Sequence, residues 1–343
     1  MKKRNSNIEL LRIISMIMII LGHCNTYGNF DMQNINGFFN KFIIGNTYLG
    51  NLGVIIFIVT TGYFMIKKEI QLKKIILFEL QVLFYSIGIY VLFSTVDLLN
   101  YDLKELIKCF FPILTEQYWF FSVYIIFYLF IPYINKLILS LTKKELNKYI
   151  FLLIIFISII PTFLSVDILK NEFLQFLLFY SLGAYININI DYFKKNNKVK
   201  YILLLCVLIL FIYTSGIIIA SNYNVNMLNK IFFFSYRCSI LMIIIAVCLV
   251  ITFLNFKYFY SKILNNISSC VFGIYLIHDN PNVRNIIWNN VFFGSKFANS
   301  NFLIIYMIIT VAIIFLVSLI VELIRKYTIE RLNIKCVNML IKK

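Results

Sequence analysis

Charge is scarce in this chain. Only 14% of its 343 residues are Asp, Glu, Lys or Arg, where a soluble domain carries about 25%. The deficit excludes an ordinary water-soluble globule. Hydrophobic residues make up 61% of the chain, and they come in blocks long enough to cross a bilayer, which takes about 20 residues of helix. Histidine is scarcer still, with two in the whole chain, His23 and His278. The seven cysteines, Cys24, Cys109, Cys206, Cys238, Cys248, Cys270 and Cys336, contain no Cys-x-x-Cys pair. No set of metal ligands has zinc-like spacing, so no metal site is expected. Most of the cysteines lie inside apolar blocks and read as small apolar side chains. Also missing are a Walker A loop, Gly-x-Gly-x-x-Gly, Gly-x-Ser-x-Gly and the aspartate-rich loops of sugar-nucleotide enzymes. Any chemistry must therefore use polar residues within the membrane.

What charge there is has one dominant sign. The net charge is +17. On a soluble protein that would suggest nucleic acid, but here the basic residues sit in short loops between apolar blocks, and no nucleic-acid partner is expected. The apolar blocks predict ten spans, at about 8–27, 46–66, 75–97, 114–135, 149–166, 172–190, 201–221, 231–254, 264–284 and 302–324. The ninth is the most diluted, by Asn265, Ser268, Ser269, His278 and Asp279. The N-terminus has the positive start and apolar run of a signal peptide, but Glu9 and Arg12 interrupt the run and no cleavage site follows, which predicts a retained helix. With that end inside, the inner segments hold 23 basic residues and the outer loops 7, Lys41, Lys170 and Arg284 among them; Arg12 and Arg237 fall within spans. The bias alternates loop by loop and predicts both termini in the cytoplasm. The fold class is an all-α polytopic membrane bundle of about ten helices. Residues 1–343 read as one membrane domain, with no room for a soluble one.

A charge inside a bilayer costs at least about 2.5–3.5 kcal/mol at the helix centre, and it is usually functional. Arg12 and His23 stand eleven residues apart, which is three helical turns plus about 20°. They share one face, with Arg12 in the inner third of the span and His23 in the outer third. Glu9 lies one turn before Arg12 on the same face and can pair with it. Two readings stay open at this point: a functional pair, or a snorkelling arginine with an interfacial histidine. His278 should reach a depth near that of His23, where the two could line one polar cavity. Glu79 has Arg12 and Lys74 as candidate partners. Arg237 falls about two turns inside span eight, facing an anionic group or snorkelling outward. Tyr118 and Trp119 open span four at the outer interface, where an aromatic belt would also place them. Lys67, Lys68, Lys73 and Lys74 form a cytoplasmic cluster that positive-inside bias explains, with binding of donor phosphates as the functional alternative.

These segments resemble a known pattern. NIELLRIISMIMIILGHC is similar to the opening helix of membrane acyltransferase family 3, with Arg12 and His23 on its Arg-x10-His hallmark and Glu9 three before the arginine. GVIIFIVTTGYFM resembles the family's Phe-Phe-x-x-Ser-Gly-Phe helix. QYWFFSVYIIFYLFIPYI resembles its Leu-Trp-Phe helix and places Trp119 on the motif tryptophan. ISSCVFGIYLIH resembles the segment ending Ile-Tyr-Leu-x-His and matches Tyr275 and His278. Where some members carry Arg-x-x-Arg, this chain has KKEIQLKK, with lysines only, which bind phosphate without the bidentate fork of arginine.

The resemblance implies an O-acyltransferase of the cell-surface polysaccharide type, in the plasma membrane of a bacterium. Acetyl-CoA is the implied donor substrate, with succinyl transfer as the variant within that class, and no permanently bound cofactor is implied. The implied acceptor is a hydroxyl of a cell-envelope glycan such as capsule, or of its lipid-linked precursor. His23 would be general base or acyl carrier, with Arg12 and Glu9 beside it. Trp119, Tyr275, His278 and Arg237 would line the sugar side, and Lys67, Lys68, Lys73 and Lys74 would meet the donor. The rival reading is a transporter or flippase for a lipid-linked sugar. Such proteins often carry internal repeats, and spans 1–5 and 6–10 show none. A purely structural protein has no need of buried Arg and His.

Overall fold

The first helix starts where its sequence supplies a cap. In the computed structural model, which describes residues 4–164, 171–194 and 198–341, the Asn5 side chain accepts from the Asn7 amide and opens α1 (Ser6–Tyr27). That bond satisfies one of the donors every helix N-terminus leaves free. The chain continues through α2 (Phe38–Asn46), α3 (Gly50–Met65), α4 (Leu72–Thr95), α5 (Leu103–Cys109), α6 (Trp119–Ser140), α7 (Lys143–Ile154), α8 (Ile160–Leu164) and α9 (Glu172–Ile188). Then come α10 (Ile190–Lys194), α11 (Lys198–Ser221), α12 (Ile240–Asn255), α13 (Lys262–Ser269), α14 (Val271–His278), α15 (Pro281–Ile286), α16 (Gly294–Phe297), α17 (Leu303–Tyr327) and α18 (Ile329–Ile341). No strand occurs among the described residues, and the protein is an all-α polytopic membrane protein.

Among the described residues, eight segments are long and apolar enough to cross a membrane: Ser6–Tyr27, Phe38–Met65, Leu72–Thr95, Trp119–Ser140, Lys143–Leu164, Lys198–Ser221, Val225–Asn255 and Leu303–Tyr327. The other two of the ten expected spans are shorter. The sixth is α9, with 17 residues, and the ninth is the pair α13 and α14, eight residues each, joined at Cys270. Helices α9 and α14 are largely buried inside the bundle, where protein surrounds them and a helix need not match the bilayer, while α13 buries only Ser268. The fourth span begins five residues later than expected, at Trp119, because residues 110–118 form turns. Lys41 lies on α2 and not in a loop. The last residues of the fifth span (165–166), Lys170 and Lys195 fall outside the described residues.

Two expectations need correction. The apolar run 231–254 puts Arg237 two turns inside a helix, but it precedes α12 in an irregular stretch after a 3-10 turn at Phe233–Ser235. The run hides the break, since hydropathy cannot separate a helix from unwound backbone buried in protein. Glu79 pairs with neither Arg12 nor Lys74; Arg12 turns to Glu9 on its own helix, 3.4 Å away. That i,i+3 pair needs no long-range contact.

Helices α1, α3 and α9 form the centre, and glycine lets them meet. A Cβ on Gly62 would strike the Tyr180 carbonyl, and one on Gly183 would strike the Val59 carbonyl. Lipid tails are as apolar as leucine, so close backbone approach is a main source of helix association in a bilayer. Gly88 on α4 has nothing within 4 Å of where its Cβ would stand. Gly183→Ala is expected to lower stability by about 1–3 kcal/mol through overpacking, while Gly88→Ala leaves it unchanged or slightly higher through helix propensity. Thermal unfolding of the purified protein in detergent checks both.

Candidate active site

The face of α1 that carries Glu9, Arg12 and His23 opens on a cavity of about 450 Å³. Residues from Glu9 to Tyr27 line it, a rise of about 27 Å along the helix. Its end nearer the start of α1, termed inner after the orientation expected from loop charge, is polar: Arg4, Glu9, Arg12, Ser268 and Ser269. Its middle is apolar: Met16, Ile19, Val54, Phe57, Phe78, Phe121 and Phe272. Its outer end gathers His23, Thr26, Tyr27, Tyr48, Asn51, Trp119, Phe120, Arg237 and Tyr275. Size and lining are those of a small-molecule site, apolar with a few polar groups at fixed places.

At the inner end Glu9 is buried, 5% exposed. It accepts from the Ser268 hydroxyl and lies 3.4 Å from both Arg4 and Arg12. One carboxylate between two guanidiniums leaves a net positive charge at this mouth. The Arg12 guanidinium lies 5.9 Å from the centre of the Phe64 ring, and the Lys68 ammonium 5.7 Å from the same centre.

At the outer end the two histidines of the chain meet, with ring centres 5.2 Å apart. Their meeting accords with the similar depths expected of them in spans one and nine. His23 lines the cavity; His278, 1% exposed, packs behind it. His278 Nδ1 lies 2.6 Å from the Ile274 carbonyl, and its Nε2 is buried without a hydrogen-bond partner. His23 Nδ1 is also buried without a hydrogen bond, with Asp279 Oδ1 3.7 Å away. Buried polar atoms left unpaired are uncommon, and each calls for an explanation. Across the mouth the Arg237 guanidinium stacks on Trp119, 4.1 Å from the ring centre. Its Nε donates to Asn51 Oδ1 at 3.4 Å and its Nη1 lies 3.5 Å from Glu172. Tyr275 lines the same end, its ring 5.7 Å from that of Phe120.

Of the residues singled out in the sequence, Glu9, Arg12, His23, Trp119, Arg237 and Tyr275 line this one cavity. Lys67, Lys68, Lys73 and Lys74 do not; the first two lie in the turn after α3 and the other two in the first turn of α4. Sequence reasoning passes over Arg4, Ser268 and Ser269 at the inner mouth and Asp279 and Arg284 at the outer one. It also passes over a buried network beyond the cavity. Glu322 on α17 accepts from Tyr85 at 2.6 Å, from Gln81 at 3.0 Å and from Arg325 at 2.8 Å. Arg325 also reaches Glu330 of α18 at 2.6 Å. Glu322 and Arg325 are 1% and 4% exposed. Their i,i+3 spacing at the end of the last apolar run is the available signal, but Arg325 reads as a loop cation.

Residues 5–321 match the family model described as an acyltransferase domain, that of membrane acyltransferase family 3. The chain belongs to that family. The match covers every residue that lines the cavity except Arg4, and it supports acyltransferase activity in a multi-pass membrane protein. No curated protein and no solved structure matches the chain.

Proposed function

We propose that this acyltransferase carries an acyl group, acetyl from acetyl-CoA, across the plasma membrane of a bacterium to a hydroxyl of a cell-surface polysaccharide or its lipid-linked precursor. The observation that supports the reading most is one cavity with cations at its inner end and an imidazole at its outer end. Both termini face the cytoplasm, so the positive mouth meets the donor. Arg4 and Arg12 attract the anionic CoA headgroup there, with Lys67, Lys68, Lys73 and Lys74 adding charge on the cytoplasmic surface. The apolar middle suits the pantetheine arm, which brings the thioester toward His23.

The sugar hydroxyl enters between Trp119, Tyr275 and Arg237. A neutral His23 takes its proton as general base. The alkoxide oxygen bonds to the thioester carbonyl carbon, the carbon–sulfur bond breaks, and the CoA thiolate leaves and takes up a proton. In the covalent variant a His23 nitrogen attacks the thioester first and the hydroxyl then takes the acyl group from it. Glu9 holds Arg12 toward the donor side.

Sidedness tests the reading. Inside-out membrane vesicles expose the cytoplasmic mouth. Given labelled acetyl-CoA, they are expected to place base-labile label on lumenal glycan, while right-side-out vesicles given the same donor outside place none. Equal labelling from either side, or ester formation without any acyl-CoA, would remove the proposal.

A further inference from the structure

Four side chains close a ring at the outer end of α1. His23 Nδ1 faces Asp279 Oδ1 at 3.7 Å. The same Asp279 oxygen accepts from Arg284 Nη1 at 3.3 Å. Arg284 donates to the Tyr27 hydroxyl at 3.2 Å, its guanidinium carbon 4.9 Å from the centre of that ring. Tyr27, one turn past His23, returns to it edge-on with ring centres 5.5 Å apart. Asp279 is 2% exposed and stands directly after α14, where the backbone bond from its own amide to the Tyr275 carbonyl fixes it.

We infer that Asp279 is the positioning residue for His23: its carboxylate orients the Nδ1–H and so presents Nε2 to the cavity. The inference rests on the reading of His23 as the base. A neutral imidazole carries one proton, and the partner of one nitrogen decides which nitrogen is left to act. His278 does not compete for the role. Its Nδ1 donates to the Ile274 carbonyl and its Nε2 makes no hydrogen bond. The 3.7 Å gap is slightly longer than a hydrogen bond, and such contacts tighten when substrate fills a site.

Arg284 balances the carboxylate in the resting state. When Nε2 takes the hydroxyl proton, the imidazolium shares that carboxylate, and the Nδ1 proton stays on the ring. When the thiolate leaves, Nε2 gives the proton up to it. Asp279 forms and breaks no covalent bond. Tyr27 and Arg284 act one step further back, holding the carboxylate at the correct side of the ring.

The test uses the full-length protein in native membranes. Asp279→Asn is expected to lower kcat about 100-fold or more while KM for acetyl-CoA and for glycan changes less than about twofold. Added to His23→Ala, it is expected to cost nothing further, because the carboxylate acts only through the imidazole. Asp279→Glu keeps a charge for Arg284 but displaces it from Nδ1, and is expected to insert as the wild type does with kcat down about tenfold. Asp279→Asn or Asp279→Glu at wild-type kcat would overturn the inference, as would a further loss on the His23→Ala background. Activity retained by His23→Ala alone would instead remove the reading beneath it, whatever Asp279 does.

Discussion

His23→Ala is expected to lower acyl transfer about 10²–10⁴-fold, the usual contribution of a positioned general base, with membrane insertion unchanged. His23 lines the cavity at its outer end, and its ring rests between Tyr27 and His278. Removing it takes away the imidazole nearest the place where an acceptor hydroxyl would enter. His278 does not substitute. Its ring is turned into α14 by the Ile274 carbonyl and it does not line the cavity. His23→Gln fills similar space without basicity and should fall as far as the alanine variant. The measurement is labelled acetyl incorporated into glycan, with protein level read by immunoblot. A variant that inserts normally and still acetylates would end the assignment. Label retained on the wild-type chain when donor is given without acceptor would mark the covalent route, and its absence the direct one.

The second large effect falls outside the cavity. Arg325→Met is expected to cost about 3–5 kcal/mol, because it leaves Glu322 charged and buried without its cation. Glu322 would keep the donors of Tyr85 and Gln81, and Glu330 would lose its link to α17. No side chain other than Arg325 offers Glu322 an ion pair within 4.0 Å among the described residues. A Cβ on Gly273 would fall on the Glu322 carboxylate, so α14 lies directly against this group. Loss of the arginine should therefore loosen the helix that carries Tyr275 and His278. The double change Glu322→Gln with Arg325→Met removes both charges and should recover much of the loss, since two uncharged side chains carry no ionic desolvation penalty. Thermal unfolding of the single and double variants in one detergent decides it; a single variant as stable as the wild type would show that the buried charge finds another partner.

Much of this architecture is legible in the amino-acid sequence. The apolar blocks dictate the fold class, because a bilayer allows helices of about 20 residues and little else. The face shared by Glu9, Arg12 and His23 follows from 3.6 residues per turn, and depth alone predicts that His23 and His278 lie at one level. What escapes is of two kinds. Arg237 and the break at Cys270 escape because hydropathy averages over a window and does not register a few unwound residues. Asp279, Arg284, Glu322 and Arg325 escape because each falls in or just past the last turns of an apolar block, where hydropathy does not tell a buried charge from a solvated one. Whether such a residue turns inward depends on what packs opposite, and that is a tertiary fact. Asp279 stands one residue past the motif histidine, His278, and no motif comes nearer to it than that.

The apolar middle of the cavity has a consequence for the cell. A cavity with cations at one end and aromatic rings at the other sits in a membrane that works as an electrical insulator. One elementary charge crossing it releases or costs about 2.3 kcal/mol for each 100 mV, so a water-filled bore would short-circuit the energy supply. Met16, Ile19, Val54, Phe57, Phe121 and Phe272 give water few partners along that stretch, and narrow hydrophobic stretches block ions by drying out. In the proposed mechanism, the residues that give a thioester arm its route would also serve as the seal when the arm is gone.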